Sequence, residues 1–487
     1  MPLTESMQIA RSSLSTLQER TSVVSRNVAN AGNDLASRKN APPVTAPGGG
    51  VQLGAITRAT DTALFAKVMA ANAAVGGQSE IAKSLDQLNQ TIGDPEQDFS
   101  PAAMVGKLNT ALQQYSTGPQ DPVRAKTVLE AAKDVAKTLN DATQTVADVR
   151  QQADTDIKLG VQHVNELLAN VEQLNTEIVK GTQLGDDVTD QLDSRDQALA
   201  QISTELGIRV VSRANNDIAV YTDSGITLFD HTARQLSFDA SPVYSSTTTG
   251  NPLVVDGVPV TGPSASMPIG SGRLKGLTDI RDTIAVTYQN QLDEIARGMI
   301  ETFAEKDQSG GGQPDATGVF GYGGSPAVPP SGTIVPGLAG QIGVAAAVDP
   351  DRGGDLNRIR DGGINGAAYS YNPSGAAGFS GRIAAFSTGL TANRPFDPSA
   401  EAGASDSVQD FASTSVGWLS QQRQASATDL EFNQTVQVRA VDAFTQINGV
   451  NLDLEMSLLL EIERSYQATS RLISAIDTMY QSIIQVS

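Results

Sequence analysis

The chain contains no cysteine, which excludes disulfides, thiol catalysis and cysteine-ligated metals. His163 and His231 are its only imidazoles. Aromatic residues make up 5% of the 487 positions, with Trp418 the single tryptophan, so rigid anchors for a small-molecule pocket are few. Basic residues are also in deficit. Lys and Arg number 34 against 54 Asp and Glu, a net charge of −20, which repels phosphate backbones and speaks against a nucleic-acid partner. No apolar run approaches the length of a membrane-spanning helix, so no membrane insertion is expected. The opening residues MPLTESMQIARSS lack the basic and apolar regions of an ordinary secretory signal. That absence alone places the protein in the cytoplasm, unless export relies on a machine that reads something other than a signal peptide.

Motifs that carry chemistry are missing as well. Gly106-Lys107 lacks the glycine spacing of a phosphate-binding loop, and Gly270 and Gly272 have no strand–helix unit around them. No G-x-S-x-G elbow occurs. Asp349, Asp351 and Asp355 in DPDRGGD offer oxygens, but Gly353 and Arg360 stand where a calcium loop needs acidic residues, so an acidic surface turn is expected. His163, one turn before Glu166, reads as an exposed helix-face contact, and His231 as turn packing. No catalytic residue, cofactor or metal is expected, and the protein is not expected to be an enzyme.

What the sequence has is periodicity. Leu3, Met7, Ala10, Leu14, Leu17, Thr21, Val24 and Val28 alternate steps of four and three, as the seam of a helix built to pack on another helix does. Leu459, Ile462, Tyr466, Thr469, Ile473, Ile476, Tyr480 and Ile483 do the same at the other end of the chain, and Leu452 and Met456 extend the stripe upstream. Neither seam can be buried alone, so the two pair with each other, with another chain, or with both.

Between the stripes, the breaker-rich APPVTAPGGG reads as a linker. Helical spacing runs from about 61 to 206, with breaks expected near Gly76-Gly77, Gly93-Asp94-Pro95 and Gly118-Pro119. One long amphipathic helix covers Val146 to Ile178, stopped near Gly181 and Gly185. After Gly207, IRVVS and IAVYT flank a turn, and Asp256-Gly257 is a hairpin dipeptide. Helix returns at 274–305, a loop-rich stretch with weak strands follows, and helix resumes from about 405 with a break at Asn448-Gly449.

The expected fold is multidomain and mainly α, with terminal coiled-coil helices, a discontinuous helical bundle, a small β domain and a loop-rich inserted lobe. The expected parts are 1–45 with 445–487 as a terminal coiled-coil domain, 46–206 with 271–305 and 405–444 as the helical bundle, 207–270 as the β domain, and 306–404 as the insertion.

Asn27-Val28-Ala29-Asn30-Ala31, followed at a distance by Ser37-Arg38, resembles the N-terminal signature of the bacterial flagellar axial proteins of rod, hook and hook-associated type. That family continues the motif through a Thr-Pro-Gly-Tyr turn, which this chain lacks. The C-terminus is similar to the family's terminal helix through Val450-Asn451-Leu452-Asp453, Glu455-Met456, Tyr466-Gln467-Ala468 and the Ile476 to Met479 region. The blocks Val164 to Ile178, Asp190 to Val211 and Gly272 to Phe303 resemble the hook-associated members in particular.

The resemblance implies a structural protein of the flagellum that joins hook to filament and is exported without a cleaved signal peptide to an extracellular position. It implies terminal helices that are disordered in the free monomer and fold on assembly, through subunit contacts at Leu14, Leu17, Val24, Asn27, Asn30, Leu452, Met456, Tyr466, Ile473, Ile476 and Tyr480. The implied partners are further copies of the chain in a ring or tube, the hook protein, the second junction protein, and an export chaperone on a terminal helix. The alternatives are a hook or distal-rod protein, or a secreted hydrolase with flagellar-type termini.

Overall fold

The structure is a computed structural model, and it describes residues 2–46, 49–90 and 99–486. The expected break at Gly93-Asp94-Pro95 lies outside the described residues. The chain is 61% helical, which places it in the mainly-α class.

Helix α1 (Pro2–Ala29) is followed by four short strands, β1 (Lys39–Asn40), β2 (Pro43–Thr45), β3 (Val51–Leu53) and β4 (Thr57–Arg58). β1 pairs antiparallel with β4, and β2 with β3. The linker expected here is therefore a folded ribbon. Pro43 lies within β2, and the β3 edge lies against α1, where Thr16 Oγ1 donates to Val51 O at 2.9 Å. β2–β3 spans residues 45 and 46, so the ribbon goes with α1 across the boundary drawn there from composition.

The body begins with α2 (Thr62–Leu88), α3 (Pro101–Ser116), α4 (Pro122–Leu184) and α5 (Thr189–Glu205). Each of the first three has a side-chain cap. Asp61 accepts from Ala63 N, Ser100 from Ala103 N and Asp121 from Val123 N, with proline at the first position of α3 and α4. The long amphipathic helix is 63 residues, about twice the predicted span, and it ends at Gly185 in the left-handed region at φ 79°. Asp186 N reaches back to Gly181 O there. Gly76 and Gly77 do not break α2. They are contact points, because a Cβ at Gly76 would sit 2.4 Å from Thr204 O and one at Gly77 2.9 Å from Gly272 O.

Strands β5 (Ile208–Ser212), β6 (Ile218–Thr222), β7 (Thr227–Asp230) and β8 (Thr232–Ala233) form one antiparallel sheet in chain order. β9 (Leu236–Ser237), β10 (Val254–Val255) and β11 (Val258–Pro259) form a second, with Asp256 and Gly257 both at positive φ in its turn. Val220, Leu228 and Phe229 of the first sheet join the main hydrophobic core with α4. Next come α6 (Arg273–Asp279), a π-turn (Ile280–Ile284) and α7 (Ala285–Thr302).

The insertion holds β12 (Phe320–Tyr322), β13 (Ile342–Val344), α8 (Asn357–Asp361), α9 (Gly381–Thr391) and β14 (Arg394–Pro395), which pairs with β15 (Ser405–Asp406) just beyond it. The helix α9 was not visible as a period in the sequence. Phe386 on it packs against Phe303 at 4.5 Å between ring centroids, which ties the insertion to the end of α7. The chain ends with α10 (Val408–Asn448) and α11 (Leu452–Val486), broken at the expected Asn448-Gly449. Asn451 caps α11 by accepting from Leu454 N at 3.1 Å.

Candidate assembly interface

The two heptad stripes meet. α1 and α11 run antiparallel, with Thr4 Oγ1 2.7 Å from the Tyr480 hydroxyl at one end and Asn27 bonded to Glu455 at the other. Leu17, Val24 and Ile462 form a small buried cluster backed by Val28, Leu458 and Leu459, separate from the main core. Ala10 and Ile476 are buried further along, while Leu14, Ile473 and Tyr480 are half-buried at the seam.

The upstream extension of the stripe is corrected. Leu452 and Met456 are 49% and 48% exposed. The face they were expected to share is taken by Glu455, which is fully buried. Tyr466 is also turned largely outward, at 41%. Beyond these, Leu460, Leu472, Met479 and Ile483 stand about half exposed on α11. Two open grooves follow the pair, one of about 510 Å³ between Thr21 and Leu459, Ile462 and Tyr466, the other of about 530 Å³ between Leu3 and Met479 and Ile483. An apolar helix face beside an open groove is the geometry that takes another helix.

The base of the pair is polar and tightly bonded. Asn27 donates through Nδ2 to Lys39 O at 2.9 Å and to Glu455 Oε2 at 3.1 Å, and its Oδ1 accepts from Lys39 N at 2.9 Å. Arg38 Nε donates to Glu455 Oε1 at 2.7 Å, and Arg38 N donates to Asn448 O at 2.7 Å. One buried asparagine thus joins α1, the ribbon and α11. Asn30 closes α1, donating from its side chain to Arg26 O at 3.1 Å.

Below this lies a row of charge. Asp187, Asp190, Asp193 and Asp196 recur every third residue along the start of α5 and the turn before it. Arg26 meets Asp187 at 2.9 Å and Asp190 at 3.1 Å. Lys39 meets Asp190 and, at 3.4 Å, Asp193. Arg58 meets Asp193 at 3.1 Å and Asp196 at 2.6 Å. Ser37 Oγ also donates to Asp193 at 2.5 Å. Burial opposes ionisation of Asp187 and Asp190. Hydrogen bonds from Thr189 and Arg26 to the first, and from Lys39 and Arg26 to the second, outweigh it and hold both carboxyls below their ordinary range. Asp196 goes the other way, because its burial outweighs Arg58. Arg195 behind it is pushed down to about 10 by burial.

Sequence reasoning found the seam but missed Arg26, Lys39, Arg58, Glu455 and the aspartate row. The signal was present in DDVTDQLDSRD, whose acidic residues repeat at a spacing of three. Their partners come from far earlier in the chain, and no local pattern points to them.

Elsewhere, Asp349 accepts from Arg352 at 3.0 Å and faces Lys133 at 3.3 Å, while Asp351 is exposed. Asp355 accepts from Asn357 N at 2.9 Å. Among the described residues, no group of three or more His, Asp or Glu is placed to hold a metal ion. His163 is exposed, and His231 lies on the surface beside Asp217 and Asp230. No described helix is long and apolar enough to cross a membrane.

Residues 85–320 match the family model for the helical domain of the flagellar hook-associated protein FlgK, and residues 442–486 match that for the C-terminal region of flagellar basal body rod FlgEFG proteins. The chain is 22% identical to flagellar hook-associated protein 1 of Bacillus subtilis (strain 168) over 517 aligned residues, covering 98% of this chain and 97% of that one. The structure of the flagellar hook junction protein FlgK from Burkholderia pseudomallei aligns with a TM-score of 0.43 and 23% identity, over 53% of this chain and 47% of that one. The resemblance to the hook-associated proteins, read from the termini and the helical middle, is borne out. The chain is thus similar, over its helical middle and its C-terminal region, to structural proteins of the flagellum.

Proposed function

We propose that this protein is a subunit of the segment joining hook to filament, assembled through its paired terminal helices. One observation carries the reading. α11 buries one side against α1 and leaves Leu460, Leu472, Met479 and Ile483 about half exposed on other sides. A helix with apolar residues on more than its packed face is built for more neighbours than it has. Further copies of the chain, arranged in a ring or tube, are the occupants most consistent with the two grooves. The proposed lattice contacts include the expected positions Leu14, Tyr466, Ile473 and Tyr480 beside the buried Leu17, Val24 and Ile476, with the exposed Leu452 and Met456 facing neighbours rather than α1.

The hook protein on one side and the second junction protein on the other are the proposed axial partners. The proposed location is the extracellular flagellum, reached from the cytoplasm without a cleaved signal peptide and with an export chaperone on a terminal helix. The match at 442–486 to rod proteins fits the whole axial group, whereas the match at 85–320 favours a hook-associated member over the hook or distal-rod alternative. That similarity supports an assembly role rather than a hydrolytic one.

Leu17→Asp puts a carboxylate into the Leu17–Val24–Ile462 cluster, at a cost on the order of 3 kcal/mol to the pair. Limited proteolysis read by mass spectrometry should then trim the variant at both ends and leave the body whole. In cells lacking the native protein, the variant should fail to support filaments. Normal filaments from a variant with both ends open to protease would sink the assembly reading.

A further inference from the structure

The charge row at the base of the terminal pair has an unusual count. Three cations stand between four carboxylates, and each cation touches two of them. The three cations belong to one unit. Lys39 and Arg58 are opposite each other across the β1–β4 pairing, and Asn27, one residue from Arg26, is bonded to the backbone of Lys39 on both sides. The four carboxylates belong to another, the start of α5, which packs on α2 and α4 in the body. A cavity of about 160 Å³ lies beside the row, lined by Arg58, Asp196, Phe65, Met69, Leu199 and Phe444. Free volume next to Arg58 is what a moving side chain needs, since close-packed interiors otherwise resist displacement.

We propose that this row is a pivot, which lets the terminal helix pair swing on the body while every cation keeps a carboxylate. A bridging cation can pass wholly to the carboxylate before it or to the one after it. In either direction Arg26, Lys39 and Arg58 all stay paired, so no buried cation is stranded, and the carboxylate left behind is Asp187, still held by Thr189, or Asp196, still in the field of Arg195. Neighbouring aspartates three residues apart are about 4.5 Å apart along the axis, so transfer from bridge to end moves the joint on the order of 2 Å. The row winds around α5 as it advances, so the motion combines swing with twist. Glu455, held by Arg38 and Asn27, moves with the pair and keeps α11 aligned to α1.

The absence of cysteine makes the test direct, because introduced thiols are the only ones. Spin labels at Glu5→Cys and Lys158→Cys in the full chain report the tip of α1 against α4, and Lys126→Cys with Lys158→Cys gives a ruler within α4. All three positions are exposed. The tip-to-body distribution should be broader than the ruler. Asp187→Asn leaves Arg26 on Asp190 alone, and Asp196→Asn leaves Arg58 on Asp193 alone, so the two variants should move the mean distance in opposite directions. A simple clamp would loosen alike in both. A native distribution as narrow as the ruler would overturn the pivot, and so would equal or absent shifts in two variants of native helix content. A native distribution as wide as that of an unfolded end would overturn the pivot too, because a pivot needs a folded terminal pair.

Discussion

Helices α7 and α11 treat polarity in opposite ways. α7 carries Gln289, Gln291, Asp293, Glu294 and Arg297, all exposed by 3% or less, in the centre of the body. α11 carries Leu460, Leu472, Met479 and Ile483, all about half exposed, along the outside of the terminal pair. In α7 each charge is matched. Arg297 donates to both oxygens of Glu294 at 2.7 and 2.8 Å and meets Glu301 at 2.8 Å. Asp293 accepts from Gly337 N and Ala339 N, both at 2.8 Å. The body is thus complete within one chain, and the terminal pair is not. Buried charge with full partners marks a finished interior, whereas apolar surface without partners marks an unfinished one.

The sharpest break in that contrast is Arg297→Ala. It leaves Glu294 in the interior without its cation and Glu301 with Arg394 alone, which costs on the order of 3–5 kcal/mol. Urea unfolding of the body followed by circular dichroism should show it as a fall in midpoint. An unchanged midpoint would mean that water reaches the pair and the body is less closed than its packing indicates. Glu455→Ala acts at the boundary between the two regions. It strips Arg38 and Asn27 of a buried acceptor, and a loss of about 2 kcal/mol is expected. Hydrogen exchange should rise at residues 26–39 and 452–458 while α7 keeps its protection.

Acid separates the regions by sign. Asp187 and Asp190 are held below their ordinary value of 3.8, so their stabilisation is present above that pH and is lost as pH falls through their folded values. Asp293 is pushed up to about 6 by burial, despite its hydrogen bonds from Ala339 N and Gly337 N. The folded state therefore holds that proton more tightly than the unfolded chain, and the penalty for ionising it disappears as pH falls from above 6 to below 4. Exchange measured near pH 3 should accordingly open residues 187–196 before the contacts of Asp293 with 337–339. The reverse order would remove the joint's ion pairs as its fastening.

The period of the chain made the long elements legible. The stripes at 3–28 and 459–483, the break at Asn448-Gly449 and the hairpin at Asp256-Gly257 all follow from local rules of spacing and turn geometry. What failed was local inference about glycine and proline. Gly76-Gly77 looked like a break because glycine weakens a helix, but there it allows the backbones of α2, α5 and α6 to approach. APPVTAPGGG looked like a linker because it is rich in breakers, but the β2–β3 pairing lies across it. Asn27 was visible as a motif residue, yet its work depends on Glu455, 428 positions away. No spacing rule reaches that far.

The smallest effect on the monomer should be the most telling for the comparison. Leu472 is 52% exposed on α11 and lies outside the seam cluster of Leu17, Val24 and Ile462. Leu472→Ser should change the stability of the isolated chain by no more than about 0.5 kcal/mol, as exposed substitutions usually do. If that face is completed by a neighbouring subunit, each copy in an assembly loses a buried leucine, and the loss repeats at every contact around the ring. Assembly should therefore weaken severely in a protein whose melting is unaltered. The reading is a melting curve beside a count of filaments in cells carrying the variant. Equal filaments would mean that the exposed leucine is ordinary surface, and that α11 was already complete with α1 alone.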